Sequence, residues 1–485
     1  MGIATSRETI QNFVGGAWID STATETLPVM DPATGEAITQ VPLSTAEEVR
    51  AATARAQEAF LSWRDVPVIE RAQVMYRLQA LLSQHKDEIA RSVTRENGKL
   101  HDEAVGEVRR GIEVVEFACA APTLLQGRLL QDVSRGYDTT MYRFPLGVVA
   151  GISPFNFPAM IPLWMAPLAI VSGNTFVHKP SERTPLTCNL LAEFWAEAGL
   201  PSGVYNVVHG TKIVVDALLS DPLVRAVSFV GSQPVASYVY ATAAANGKRV
   251  QALAGAKNYT VVAPDADMDR AAATVLSSAF GNAGERCLAG SAVITIGTAT
   301  GELLPRLIEG ARAIRVGAGD DPEASMGPVI RADHCARIMQ FIEQGVQEGA
   351  TLALDGREGR SEDGGYWLRP SIFTGVTPEM TIAREEIFGP VLSVLEAPTL
   401  EDAIEMANKS RFGNAAVLCT TSGSVARTFQ MKIEAGMVGV NVGVPAPVAW
   451  FPFAGWKQSF YGDLHATGED AINFYTERKV VTSHW

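Results

Sequence analysis

Three long stretches in the first quarter of the chain repeat apolar residues every three or four positions: Thr45 to Phe60, Pro67 to Asn97 and His101 to Ala118. That period predicts amphipathic helices, and Pro67 suits a first helical position. In the third, Val108, Ile112, Val115 and Cys119 fall on one stripe, the expected buried face. The pattern then changes. "GRLLQDVSRGYDTTMYRFPLG" predicts a polar hairpin turning near Ser134-Arg135-Gly136. Short apolar runs follow, "GVVAGI", "NTFVHKP", "GVYNVVHG" and "AVSFVGS", each trailed by a helical stretch. A second such series begins at "YTVVAPDAD" and runs through "SAVITIG" to "AVLCTT". Strands alternating with helices predict an α/β chain with a parallel sheet of Rossmann type. "FPAMIPLWMAPLAIVSG" is too short for a membrane span and is interrupted by Pro158, Pro162 and Pro167, so it reads as a buried helix. The tail "FYTERKVVTSHW" reads as a last strand. Hairpin and tail lie outside both series and are extended and polar, as strands that pair across a subunit boundary are; a decorative hairpin with a frayed end is the alternative.

Composition adds bounds. The 485 residues allow roughly two to four domains. A net charge of -13 argues against non-specific binding to nucleic acid or to an anionic membrane. Cys119, Cys188, Cys287, Cys335 and Cys419 are odd in number, far apart and without a CxxC, which argues against a disulfide framework or a zinc site, so no metal is expected. A reducing compartment fits, and with no apolar signal segment near the N-terminus a cytoplasmic protein is expected.

Several short motifs bear on chemistry. In "SFVGSQPV" a strand meets a helix start through Gly231 and Ser232, where first-turn N–H groups favour a pyrophosphate; without a full G-x-G-x-x-G, an ordinary strand-to-helix turn reads as well. In "HKPSER", Lys179 and Glu182 follow a strand end. A carboxylate there accepts from ribose hydroxyls and repels a 2′-phosphate, favouring NAD over NADP; a surface ion pair is the alternative. "GISPFNFP" sets Asn156 in a turn, where its amide can donate to an oxyanion or cap its own backbone. "GNAGERCLAGS" surrounds Cys287 with small residues and Arg286. Buried free cysteines are common, but a working thiol needs an open backbone and nearby positive charge.

In this order and spacing, "SPFNFP", "HKPSE", "FVGS", "GERC" and "EEIFGP" resemble the aldehyde dehydrogenase superfamily, from about Asn12 to the C-terminus. The resemblance implies an NAD-binding domain over 1–122 and 144–252, a catalytic α/β domain over 253–445, and a β oligomerisation element over 123–143 and 466–485 that makes a homodimer or homotetramer. It implies Cys287 as nucleophile, with Asn156 and the Cys287 N–H as the oxyanion hole. It further implies Glu386 on the nicotinamide ribose and Phe388 beside the nicotinamide. Lys179 and Glu182 would take the adenosine ribose, Arg183 the adenosine, and Ser232 with Gly231 the pyrophosphate. Ser153 and Phe155 would line the nicotinamide by backbone contacts, and Ala254 would meet its amide.

Most members of that family release the acyl group to water, using the glutamate of an "ELGGK" motif. This chain reads "LAGAK", with Leu253 in the glutamate's place and no carboxylate from Gly247 to Pro264. Water without a base is a poor nucleophile toward a thioester; the thiolate of coenzyme A is a better one. Together with "GAKN", "GERC" and "NVGVPAPVAWFPFAGWK", this resembles the CoA-acylating methylmalonate-semialdehyde dehydrogenase branch. That branch converts malonate semialdehyde or its methyl derivative to acetyl-CoA or propionyl-CoA, with loss of carbon dioxide. The alternative is a hydrolytic semialdehyde dehydrogenase with a base from elsewhere, such as Glu386. Glu285, Leu288 and Tyr259 stand where the branch leads one to expect Gln, Met and His. Arg110 and Arg286 are the candidates for the substrate carboxylate. Arg110 falls on a partly apolar helix face and Arg109 on the solvated one; a local pair of Arg110 with Glu107 or Glu113 is the other reading.

Overall fold

The computed structural model describes residues 8–358 and 364–485. Its first helix, Ala46–Trp63, starts from a capping box in which Thr45 Oγ1 accepts from the Glu48 N–H (3.3 Å) and Glu48 Oε2 from the Thr45 N–H (2.7 Å), an arrangement worth about 1 kcal/mol. The stretch expected as one helix over Pro67–Asn97 is two, Val68–Gln84 and Lys86–Asn97. His85 separates them at φ −100, ψ 15 and engages Glu88 at 2.9 Å, which turns the chain inside one continuous apolar pattern. His101–Cys119 follows as expected, with Val108, Ile112, Val115 and Cys119 all buried. Every residue of Met160–Val171 is buried, and among the described residues no helix is long and apolar enough to cross a membrane.

Two α/β sheets organise the chain. The eight-stranded sheet has at its centre five parallel strands in the spatial order Tyr205–Val207, Thr175–Lys179, Val148–Ile152, Val224–Val230, Arg249–Leu253. The chain runs outward one way from Val148–Ile152 and then outward the other way, the doubly wound order. Antiparallel strands cover both edges, Asn12–Val14 with Ala17–Ile19 on one side and Phe460–Tyr461 on the other. The seven-stranded sheet is parallel from Ser371–Thr374 through Val391–Ala397, Ala292–Ile296, Tyr259–Val262 and Ala415–Cys419 to Met437–Val440, with Thr351–Leu354 antiparallel at its edge. Hairpin strands Arg128–Ser134 and Tyr137–Pro145 pair with each other, and Tyr137–Pro145 also pairs with Thr476–His484, in a separate exposed sheet.

The strand Arg249–Leu253 ends one sheet and Tyr259–Val262 starts the next. Only Ala254 to Asn258 lie between them. The carboxyl ends of the first sheet therefore face the amino ends of the second.

Packing within the first sheet is tight. A Cβ at Gly151, in a central strand, would run into the fully buried ring of Phe176. Gly151→Ala is expected to cost roughly 1–3 kcal/mol by overpacking, read as a lower denaturant midpoint; an unchanged midpoint would show that the ring yields freely.

Candidate active site

The residues singled out in the sequence gather on the two facing sheet ends. Ser153, Phe155 and Asn156, Lys179 and Glu182, and Gly231 and Ser232 follow strands of the first sheet. Cys287, and Glu386 with Phe388, precede strands of the second.

The small residues before Cys287 have a conformational cause. Asn282 (φ 51, ψ 41), Ala283 (φ 51, ψ 28) and Gly284 (φ 75) are three successive left-handed residues, a path that side chains with bulk near the backbone oppose. A Cβ on Gly284 would also strike the Gly389 carbonyl. This turn sets the nucleophile loop against the Phe388 loop. Of the five cysteines, four are buried and Cys287 alone is partly exposed. Its carbonyl accepts from Asn258 Nδ2 and Asn414 Nδ2, both at 2.9 Å, while Asn258 also donates to Ala289 O at 2.9 Å. These two amides, unassigned by sequence reasoning, fix the backbone under the thiol.

Arg286 favours the Cys287 thiolate, as expected, but it is the weakest of the influences on the thiol. Burial, and then the nearby charge of Glu386, push the Cys287 thiol up to about 12; the N–H groups of Cys287 and Leu288 oppose this more than Arg286 does. Arg286 is engaged elsewhere, its Nη2 donating to Glu103 Oε1 at 2.6 Å. The same oxygen accepts the Asn282 N–H at 2.8 Å, so Glu103 pins the turn at two points.

Asn156 is held from both ends. Its Nδ2 donates to the Glu285 carbonyl at 2.9 Å, and its own carbonyl accepts from Lys99 Nζ at 2.6 Å. Lys99 is buried in an ion pair with Glu107 (2.6 Å), whose other oxygen accepts the N–H groups of Ala159 and Met160 at 2.8 and 3.1 Å. Glu103, Glu107 and Arg110 recur at i, i+4 and i+7, so one face of a single helix serves the site. Arg110 is half-buried, pairs with Glu113 at 2.6 Å and also donates to the Pro447 carbonyl; the local pair considered from sequence is formed. Arg109 is exposed, as expected.

On the cofactor side, the Ser153 N–H donates to Lys179 O at 3.2 Å, and Ser153 Oγ lies 2.8 Å from His178 Nε2. Lys179 Nζ donates to Glu182 Oε2 at 3.1 Å. Burial raises the Glu182 carboxyl, but Lys179, its own N–H and Arg183 together hold it below the usual range. The Arg183 guanidinium lies 3.9 Å from Glu182, and its Nε is buried without a hydrogen-bond partner. Ser232 starts the helix Gln233–Ala245 with its hydroxyl making no cap bond, and the Gly231 N–H donates to Leu253 O at 3.1 Å. The Ala254 N–H donates to Ser459 O at 2.9 Å, so of its backbone groups only the carbonyl can be the expected contact. The rings of Phe155 and Phe388 meet edge to face at 6.0 Å, and Phe388 has φ 59. Glu386 Oε1 accepts the Ala256 N–H at 2.9 Å; burial pushes its carboxyl up to about 7. Lys257 and Tyr259 donate to the carbonyls of Ile382 (2.7 Å) and Ala383 (3.1 Å), which ties the segment ahead of Glu386 to the second sheet and gives Tyr259 a structural task.

An anionic dinucleotide fits this arrangement: an uncapped helix start, an unpartnered buried guanidinium N–H and a ribose-type carboxylate lie along one sheet end. Among the described residues no cluster of three metal-ligating side chains occurs.

The aldehyde dehydrogenase family model matches residues 18–481. Malonate-semialdehyde dehydrogenase 2 of Geobacillus kaustophilus (strain HTA426) is 53% identical over 484 residues, covering all of both chains. Among solved structures, methylmalonate-semialdehyde dehydrogenase (DddC) from Oceanimonas doudoroffii is 47% identical with a TM-score of 0.97, covering 99% of each chain. A Sinorhizobium meliloti 1021 protein assigned as a methylmalonate-semialdehyde dehydrogenase and complexed with NAD is 42% identical, TM-score 0.97, covering 98% of each.

Two outcomes are expected. Glu107→Gln leaves the buried Lys99 cation uncompensated and is expected to cost about 3–5 kcal/mol, with turnover lost alongside stability; full stability would dissociate the pair from the Asn156 loop. In the unliganded protein, alkylation of Cys287 by iodoacetamide is expected to be slow at pH 7 and to rise about tenfold per pH unit up to pH 9 and beyond. A plateau below pH 8 would contradict the raised thiol.

Proposed function

The chain belongs to the aldehyde dehydrogenase family, and from that premise we propose that it is an NAD-dependent, CoA-acylating dehydrogenase of malonate semialdehyde or methylmalonate semialdehyde. The names of its relatives support the substrate class. The observation that carries the acyl acceptor is Leu253. It is 4% exposed, pairs in register with Phe460 and belongs to the large apolar core that also includes Leu288 and against which Cys287 packs. An apolar side chain thus stands at the position where hydrolytic relatives would carry the glutamate.

In this reading Cys287 attacks the aldehyde carbon, and the resulting oxyanion is held by Asn156 Nδ2 and the Cys287 N–H. The nicotinamide, when bound, supplies the hydride acceptor and a positive charge near the thiol. Collapse of the oxyanion, with hydride leaving to the nicotinamide when it is bound, would give a thioacyl enzyme on Cys287. The substrate carboxylate would be lost as carbon dioxide with a proton taking its place, and the thiolate of CoA would displace the Cys287 thiolate to release acetyl-CoA or propionyl-CoA. Lys179, Glu182 and Arg183 hold the adenosine end, Gly231 and Ser232 the pyrophosphate, and Glu386 the nicotinamide ribose. Ser153, Phe155, Phe388 and the Ala254 carbonyl frame the nicotinamide. Arg110 supplies positive charge for the substrate carboxylate, and Arg286 contributes through the N–H groups that Glu103 does not occupy. We assign 1–122 and 144–252 to cofactor binding, 253–445 to catalysis, and the exposed three-stranded sheet, within 123–143 and 466–485, to assembly of a cytoplasmic homodimer or homotetramer.

Glu386 supports one rival reading, hydrolysis to a free acid. Its carboxyl, pushed up to about 7, acts on the Cys287 thiol electrostatically, as a base for water would need to.

Rapid mixing with semialdehyde and NAD separates the two. Without CoA, a burst of about one NADH per site followed by near-arrest is expected, with turnover restored by CoA and ping-pong kinetics. Steady turnover to a free acid, indifferent to CoA, would establish Glu386 hydrolysis instead.

A further inference from the structure

Glu285 lies two residues before Cys287, and neither the chemistry nor the cofactor contacts above use its side chain. It is 1% exposed. Its carbonyl accepts from Asn156 Nδ2 (2.9 Å) and from Asn282 Nδ2 (3.2 Å), so its backbone sets the rotation of the oxyanion amide. One Asn156 N–H is thereby spent, and the other is left for the substrate oxygen. Its carboxyl points the opposite way. Oε1 accepts the Ile330 N–H at 3.2 Å and lies 3.5 Å from His334 Nε2. That same nitrogen lies 2.7 Å from the carbonyl of Phe388.

A carbonyl can only accept, so the proton of His334 resides on Nε2 and is donated to Phe388 O. The imidazole has no second proton there to give. Burial lowers the His334 pKa, which keeps the ring neutral. Phe388 needs the bond, because a bulky residue at φ 59 is strained and holds only when its surroundings fix it.

We propose that Glu285 is a positioning residue whose carboxyl competes with the Phe388 carbonyl for the one N–H of His334, coupling the oxyanion loop to the nicotinamide loop. With the carboxyl neutral, the proton goes to Phe388 O and the loop is clamped, the state the distances describe. An ionised carboxyl is the stronger acceptor; it draws the N–H away and releases Phe388. Burial places this change at a useful pH: it raises the Glu285 carboxyl to about 8, against the Ile330 N–H and the charges of Lys99 and Arg331. The charged and titratable groups facing it are Lys99 from the chain before His101, with Glu107 behind it, and Arg331 and His334 from the start of the helix Ala332–Gln347.

The test compares the full-length protein with Glu285→Gln, which cannot ionise, and His334→Gln, whose amide has two N–H groups and so can serve both acceptors. The readouts are NAD affinity by equilibrium titration, and hydrogen–deuterium exchange of the segment 385–390 without ligand, from pH 6.5 to 9.5. Comparison at equal pH cancels the intrinsic pH dependence of exchange. At pH 7 all three proteins are expected to agree. Above pH 8 the native protein is expected to bind NAD about fivefold more weakly than Glu285→Gln, the worth of one hydrogen bond, and to exchange faster at 385–390. Superimposable pH profiles for the native protein and Glu285→Gln overturn the proposal. If Glu285→Gln does not fold, His334→Gln decides: a native-like step above pH 8 in that variant overturns it too. The proposal rests on Phe388 flanking the nicotinamide. If exchange changes with pH while NAD affinity does not, that placement fails and the competition for the His334 N–H stands.

Discussion

A buried ion pair governs the geometry of this site. Lys99 and Glu107 are almost wholly removed from water, an arrangement that costs desolvation unless each charge is fully hydrogen-bonded. Here the remaining valences are spent on backbone. Lys99 takes the Asn156 carbonyl, and Glu107 takes two N–H groups at the start of Met160–Val171. The loop between the strand Val148–Ile152 and that helix is therefore held at several points along its backbone. Asn156 faces the Cys287 loop as a result, and Phe155, on the same loop, reaches Phe388. Neither partner of the pair touches the reacting atoms as proposed, yet the oxyanion donor cannot be placed without them.

The same helix serves the Cys287 loop. Glu103, one turn before Glu107, holds Arg286 and the Asn282 N–H. Three left-handed residues need such an external anchor, because their local preference is against the path they take. The amides of Asn258 and Asn414 complete the frame from the opposite side. Substrate chemistry thus depends on a scaffold whose parts are 29 to 183 residues from Cys287 or its neighbours in the chain.

That separation explains what the sequence made legible. Residues whose signal is local were legible as candidates: the cysteine among small residues, Asn156 after a strand and the Lys179–Glu182 pair; Glu386 entered only through the family resemblance. The parallel sheet followed from apolar runs such as "GVVAGI" and "SAVITIG". Arg249–Leu253 was missed because "RVQAL" mixes polar and apolar residues at its open end. Ser371–Thr374 was missed because only Ile372 and Phe373 are apolar in it, between a Ser and a Thr. The break at His85 was invisible because the apolar stripe continues through it. Glu103, Lys99, Asn258 and Asn414 gave no signal, since their partners lie far away along the chain. The weight of Arg286 was illegible for the same reason: adjacency to Cys287 suggested an electrostatic role, which exists but is small, while Glu103, distant in sequence, pairs with its charge.

The short bridge from Leu253 to Asn258 has an implication for how such sites diversify. It closes one sheet, opens the other, and presents the side chain at 253 to an apolar cluster shared with Leu288 and Phe460. A glutamate placed there alone would enter a medium that favours its neutral form, so it would arrive as an acid rather than as a base. Conversion between acyl acceptors is then not a one-residue step. The surrounding apolar side chains must change with it, and those belong to the same core that holds the first sheet together. Selection on the leaving half of the reaction is thereby tied to selection on the fold itself.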